Sequence, residues 1–172
     1  HDHNFVTIRE SLTDHLPLVE RTGFRERMWR VRARQVILAT GAHERPMVFG
    51  NNDLPGVMLS SALADYAELY GVRVGQRIVI ATSCDSAYAD ARLLTAAGAE
   101  VTVVDSRVVE AQGGSRTHQA QGEGVTVLRG YVPVLAKGSA SVSALVVRQM
   151  QGDKASGETR ELPCDAIGMA GG

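Results

Sequence analysis

Residues 77–105 read RIVIATSCDSAYADARLLTAAGAEVTVVD. Arg77-Ile-Val-Ile-Ala81 is a short apolar run of mostly β-branched residues, which suits a strand buried on both faces. Residues 82–85 form a short turn. Ala87, Ala91 and Leu94 then recur at helical spacing, and Gly98 supplies the stop. Glu100–Val104 is a second buried strand, closed by Asp105. A strand, a turn, a helix and a strand within about 30 residues predict two parallel strands joined by a right-handed crossover.

Working downstream, residues 107–123 give a short helix weakened by Gly113-Gly114 and Gly122. Val125–Leu128 is a third parallel strand. The pattern then changes. Tyr131–Ala136, Val142–Met150 and Thr159–Leu162 are strand-like and separated by Lys137-Gly138, Gly152-Asp153 and Ser156-Gly157, which predicts an antiparallel meander. Ala166–Ala170 is a strand of mostly small residues running into Gly171-Gly172. Upstream, Leu59, Leu63, Tyr66, Ala67 and Tyr70 mark an amphipathic helix stopped by Gly71. Residues 42–57 form a loop punctuated by Pro46, Gly50, Pro55 and Gly56. Val36–Ala39 reads as a buried strand entering the tight turn at Thr40-Gly41. Met28–Arg32 alternates as an edge strand, and residues 4–9 form another. The fold class is α/β, a parallel sheet with an antiparallel β-meander.

The turn at Thr82-Ser83-Cys84-Asp85-Ser86-Ala87 stands where a dinucleotide fold carries G-x-G-x-x-G. The first glycine permits the tight turn, the second lets backbone approach a pyrophosphate, and the third lets helix and strand pack closely. Here Thr82, Cys84 and Ala87 hold those places. Alanine can still serve the packing role, whereas Thr82 and Cys84 put side chains where a pyrophosphate needs room. The helix N-terminus offers free N–H groups to an anion, but Asp85 and Asp105 bring negative charge to it. A structural turn without a tightly held dinucleotide is therefore the favoured reading, with Asp85 as helix N-cap. Asp105 stands where an acceptor for a ribose 2′-hydroxyl belongs, and equally where a solvated strand-end aspartate would. In Ala39-Thr40-Gly41-Ala42-His43-Glu44-Arg45-Pro46, Gly41 lets the chain turn beside a ligand and Arg45 has the fork to grip a phosphate; a plain strand exit is the alternative.

A net charge of −1 gives no long-range attraction for nucleic acid or an anionic membrane. No apolar run approaches the roughly 20 residues of a bilayer-spanning helix, and no signal peptide is evident. Cys84 and Cys164 form no CxxC pair and no zinc spacing, which suits a reduced, cytoplasmic setting. Cys84 lies beside a helix N-terminus but has no base close in sequence; Cys164 reads as a small buried hydrophobe. His1, His3, His15, His43 and His118 show no metal spacing, so no metal is expected. The chain begins without methionine and stops straight after a strand, as expected of a segment of a longer polypeptide.

This order of elements resembles flavoproteins of the glutathione-reductase type, in which a second dinucleotide domain is inserted into a flavin-type domain. That likeness implies a Rossmann-like FAD/NAD(P)-binding fold in three ββα layers. It also implies a fragment of the first domain over 1–54, ending in the ATG motif, and a second, NAD(P)-type domain over 55–172. A closer resemblance is to the alpha subunit of heterotetrameric sarcosine oxidases. It rests on Asp2-His3-Asn4, Thr13-Asp14-His15, Val36–Pro46, Asn51-Asn52-Asp53-Leu54-Pro55-Gly56-Val57-Met58-Leu59, Asp85-Ser86-Ala87-Tyr88, Ala97–Val101, Val104-Asp105-Ser106-Arg107, Cys164-Asp165 and Gly171-Gly172. The ATG-A-x-E-R-P portion is shared with amine and opine oxidase and cyanide synthase subunits. Ser83 and Cys84 depart from the asparagine-rich turn of the family.

The resemblance implies oxidative demethylation of sarcosine by a complex with other oxidase subunits, using tetrahydrofolate as one-carbon acceptor. FAD and FMN would serve in the full complex, and NAD would be held in a largely non-redox role. No residue of this chain is then catalytic; Thr40, Gly41, Arg45, Ser83, Cys84, Asp85 and Asp105 are the candidate cofactor-supporting residues. The rival readings are a NAD(P)H-dependent flavoprotein reductase or an opine or amine oxidase subunit, and, from another class, a ligand-free assembly module. The missing CxxC and the altered glycine turn weigh against the reductase.

Overall fold

A computed structural model describes residues 5–108 and 115–172. Asp2-His3-Asn4 and residues 109–114 of the expected weak helix lie outside the described residues. The chain divides into two compact units, His1–Ala42 and His43–Gly172.

The first unit contains an antiparallel ribbon of β1 (Phe5–Ser11) and β2 (Glu26–Arg32), with Phe5 opposite Arg32 and Ser11 opposite Glu26. Side-chain pairs across it replace a core. Trp29 Nε1 donates to Glu10 Oε2 at 2.8 Å. The guanidinium of Arg30 lies 5.3 Å from the centre of the Phe5 ring, and that of Arg32 lies 5.7 Å from it. Contrary to the expectation of a buried strand, Val36–Ala39 is irregular, with Ile37 88% and Leu38 83% exposed. A buried strand needs partners for its backbone N–H and C=O groups, and among the described residues no strand pairs with this run.

The second unit is built on a five-stranded parallel sheet of order β3-β10-β4-β5-β6. Its strands are β3 (Val57–Leu59), β4 (Arg77–Thr82), β5 (Glu100–Asp105), β6 (Thr126–Arg129) and β10 (Ala166–Ala170). The crossover read from residues 77–105 is present: β4 and β5 are parallel, with Arg77 beside Glu100 and Thr82 beside Asp105. Helices α1 (Ser60–Tyr70), α2 (Ser86–Ala96) and α3 (Ser115–Gly122) follow β3, β4 and β5 in turn. Strands β7 (Tyr131–Gly138), β8 (Val142–Gln151) and β9 (Lys154–Pro163) form the antiparallel meander.

The layering follows from strand alternation, since successive side chains point to opposite faces. Ile78, Ile80, Val101, Val103, Ala166 and Ala170 join one core with Leu63, Tyr88, Ala91 and Leu94 of the helices. Val79, Val104, Ile167 and Met169 join a second core with Tyr131, Ala136, Leu145 and Val147 of the meander. The parallel sheet is thus covered on both faces, as its near-continuous apolar strands require. Among the described residues no helix is long and apolar enough to cross a membrane.

The loop before β3 is pinned to the meander. Gly50 N–H donates to Val134 O at 2.9 Å and Ala136 N–H donates to Gly50 O at 2.8 Å. Asn51 follows in the left-handed region (φ 57°), and its Nδ2 donates to Ala136 O at 3.1 Å. Asn52 Nδ2 donates to Met47 O at 3.0 Å. Asn51 thus ties the loop to the meander, while Asn52 closes the loop on itself. Asn51→Ala is expected to cost about 2 kcal/mol through the strained φ and the lost hydrogen bond, while Asn51→Gly restores the backbone part. Urea denaturation of the two variants checks this ranking.

Candidate functional site: the carboxyl end of the parallel sheet

Ligands of open α/β folds bind outside the carboxyl ends of the parallel strands, and that is where most of the expected residues gather. Thr82 is the last residue of β4 rather than part of the turn. It is fully buried, and its Oγ1 accepts the Cys84 N–H at 3.0 Å. The same oxygen lies 3.0 Å from Cys84 O and 3.1 Å from Ala170 O, the acceptors for its single hydrogen. Ser83 N–H also donates to Ala170 O, at 3.1 Å. A threonine hydroxyl directed inward therefore closes the turn where a dinucleotide fold uses glycine. Cys84 is half-buried, with Sγ 3.1 Å from Ser86 Oγ over the first turn of α2. Its side chain sits where backbone would have to approach a pyrophosphate.

Asp85 occupies the N-cap position of α2 but makes no side-chain cap hydrogen bond. Its carboxylate turns to Arg107 instead, with Oδ1 2.8 Å from Nη1. Asp105 is neither a solvated strand end nor a free acceptor. It is fully buried at the end of β5 and receives four hydrogen bonds. Tyr88 Oη donates to Oδ2 at 2.7 Å, Arg107 Nη2 to Oδ2 at 2.8 Å, Arg107 Nε to Oδ1 at 2.9 Å and Arg107 N–H to Oδ1 at 3.0 Å. Burial pushes the Asp105 carboxyl up, but the hydrogen bonds from Arg107 and Tyr88 outweigh it and the net shift is downward. Burial and the adjacent Asp105 push the Tyr88 hydroxyl up to about 12, and the two aspartates hold the Arg107 guanidinium charged.

These residues do not fit the ordinary grip on a dinucleotide. The close-approach position carries a thiol, the anion end of α2 carries a carboxylate, and the ribose acceptor has its lone pairs committed. Only Ala87, fully buried against the sheet, keeps its glycine-like packing role. Arg107 and Tyr88 complete the constellation, and neither was singled out as a site residue from sequence. The available signals were the Asp105-x-Arg107 spacing after a strand and Tyr88 on the apolar face of α2.

Arg45 lies beside this corner through its backbone. Its N–H donates to Gly172 O at 3.1 Å, and Gly171 N–H donates to its carbonyl at 2.8 Å, so the segment runs alongside the continuation of β10. A Cβ at Gly171 would come within 2.7 Å of Arg45 O. Glu44, next to it, caps α1 from outside the helix: its Oε2 accepts the Ser61 N–H at 3.0 Å and the Ser61 hydroxyl at 2.6 Å. Thr40 and Gly41 belong to the first unit and are exposed, Gly41 with φ 70°. Cys164 is buried directly after β9, and burial pushes its thiol up to about 11. That fits its reading as a small hydrophobe.

Comparison with known proteins places this architecture. No protein-family model matches the chain. A sarcosine oxidase subunit alpha of Corynebacterium sp. (strain P-1) is 43% identical over 175 aligned positions that take in 100% of this chain. A subunit of the same name from Rhizobium meliloti (strain 1021) is 39% identical over 92% of it. The chain corresponds to a segment of the sarcosine oxidase alpha subunit. It spans 18% of the length of the Corynebacterium relative and 14% of the Rhizobium one. Among solved structures, the thioredoxin reductase of T. acidophilum aligns with a TM-score of 0.63 at 14% identity, over 86% of this chain and 47% of that one. The thioredoxin reductase of Giardia duodenalis aligns with a TM-score of 0.62 at 19% identity, over 77% of this chain and 42% of that one. These likenesses establish a Rossmann-like FAD/NAD(P)-binding fold.

Proposed function

We propose that this chain is the second, inserted dinucleotide-type domain of a sarcosine oxidase alpha subunit, together with the closing part of the first domain over residues 1–54. In this reading it acts as scaffold and wall within a complex that oxidatively demethylates sarcosine, and it supplies no residue to the amine chemistry. The other oxidase subunits are its partners, tetrahydrofolate is the one-carbon acceptor, and the complex works in the cytoplasm. FAD and FMN carry the redox chemistry elsewhere in the complex. NAD, largely non-redox, belongs to the first domain, where Thr40 and Gly41 support it. Ser83, Cys84, Asp85 and Asp105 shape the corner of a dinucleotide fold whose grip has been replaced by internal bonds.

The observation that carries this reading is the Asp85–Arg107–Asp105–Tyr88 network. It satisfies internally the groups that a dinucleotide would otherwise engage. One specific feature favours the rival reductase reading: an arginine just past the second strand can accommodate the 2′-phosphate of NADP. Calorimetric titration of the chain with NAD, NADH and NADPH separates the two. Silence with all three, and no peroxide formed from sarcosine, is the expected result. Micromolar binding of NADPH moves the assignment to a NAD(P)H-dependent flavoprotein reductase. Peroxide production from sarcosine by this chain alone overturns the scaffold role.

A further inference from the structure

Ser60 opens α1, and its hydroxyl is fully buried between two carboxylates. Its Oγ lies 2.8 Å from Glu44 Oε1 and 2.5 Å from Asp90 Oδ2. A hydroxyl has one hydrogen, and an ionised carboxylate has none. With both acids ionised, one of these two contacts would set lone pair against lone pair at hydrogen-bond distance. The proton count is therefore one short.

The surroundings indicate which acid makes up the difference. Glu44 accepts the Ser61 N–H and the Ser61 hydroxyl through Oε2, at the helix end where unpaired N–H groups favour negative charge. Asp90, the fifth residue of α2, meets the same end of α1 through Ser60 alone among its described hydrogen bonds, and the charged groups acting on it are Glu44 on the loop and Asp65 on α1, both acids.

We propose that Asp90 is neutral in the folded protein and donates its proton from Oδ2 to Ser60 Oγ, while Ser60 donates to Glu44 Oε1. Loop, α1 and α2 are then joined by one continuous chain of donors and acceptors. Burial, followed by the charges of Glu44 and Asp65, raises the Asp90 carboxyl above the usual aspartate range. Because the folded form holds this proton more tightly than the unfolded chain, the stability Asp90 contributes is complete below the ordinary aspartate value. It is lost as pH rises through the raised one.

The direct test is a carbon-detected NMR titration of the Asp90 carboxyl in the 172-residue chain. Titration above the ordinary aspartate range is expected; titration at or below it overturns the proposal. Asp90→Asn gives an independent reading, since its amide supplies a permanent donor to Ser60. Urea midpoints of wild type and Asp90→Asn are compared from pH 4 to pH 8. The advantage of the variant is expected to grow as pH rises. A difference that stays constant across the range would mark Asp90 as a packing residue and refute a folded-state proton.

Discussion

Asp105→Ala is expected to lower the stability of the second unit by about 3 kcal/mol, read as a shift in the urea midpoint at unchanged slope. Asp105 is fully buried, so its removal strands the donors of two residues at once. Tyr88, itself fully buried, loses the acceptor of its hydroxyl. Arg107, with 26% of its side chain exposed, keeps Asp85 and some contact with water. That residual solvation holds the estimate at the lower end of the range for a broken buried ion pair, roughly 3–5 kcal/mol. If the loss comes from stranded polar groups, removing those groups should reverse it. Asp105→Leu combined with Tyr88→Phe and Arg107→Met removes every side-chain donor of the network, leaves only the Arg107 backbone N–H without its acceptor, and should recover most of the stability. A loss below about 1 kcal/mol for Asp105→Ala would show that the network is not a stabilising element.

The same residue gives a pH dependence. The folded value of Asp105 lies below the ordinary aspartate value, so the unfolded chain binds the extra proton. Its contribution is therefore present above the ordinary aspartate value and is lost as pH falls through the depressed one. Asp105→Asn should flatten that part of the acid-unfolding curve. The direction is opposite to that expected for Asp90, so the two acids are separable in one set of titrations.

Gly168→Val is expected to cost about 3 kcal/mol, seen as a fall in Tm on the order of 10 °C. Gly168 lies in β10, between β3 and β4, and faces the helices as Ala166 and Ala170 do. A Cβ there would stand 3.1 Å from Leu63 Cδ1, 3.2 Å from Ile80 Cγ1 and 3.3 Å from Ser60 Cα. The first two neighbours can turn, but the third is the backbone of α1, and valine's γ-methyls would have to displace the helix. Gly168→Ala should lie much nearer to wild type, because the chain entropy removed from the unfolded state, roughly 0.5–1 kcal/mol, offsets a tight methyl. Equal effects of the two substitutions would mean that α1 adjusts freely and that the close approach is not what selects glycine.

Much of the fold is legible in local pattern, and the reason is physical. Arg77–Asp105 alternates little because both faces of its strands are covered, and the short crossover leaves only a parallel arrangement. Gly71 stops α1 in the left-handed conformation (φ 64°) that the sequence pattern expects of it. The meander appears where turn residues interrupt β-rich runs. Val57–Leu59 was harder to read, because three residues between a loop and a helix show no period; they form a strand only because β10 pairs with them. Val36–Ala39 failed in the other direction: apolar composition alone cannot supply a pairing partner.

The candidate site divides along the same line. That the turn at Thr82–Ala87 lacks the glycines of a dinucleotide grip is a property of composition, and the sequence alone determines it. So are the class of the fold and the parallel crossover, since each depends on residues near one another in the chain. Tertiary structure decided how the vacated chemistry is used: Asp85 abandons its cap for Arg107, and Asp105 is sealed by Tyr88 and Arg107. It also placed β10 between β3 and β4, and set Ser60 between the acids of a loop and a second helix. Hydrogen bonds and ion pairs of this kind depend on distances of about 3 Å between groups separated along the chain, and no local periodicity encodes such distances.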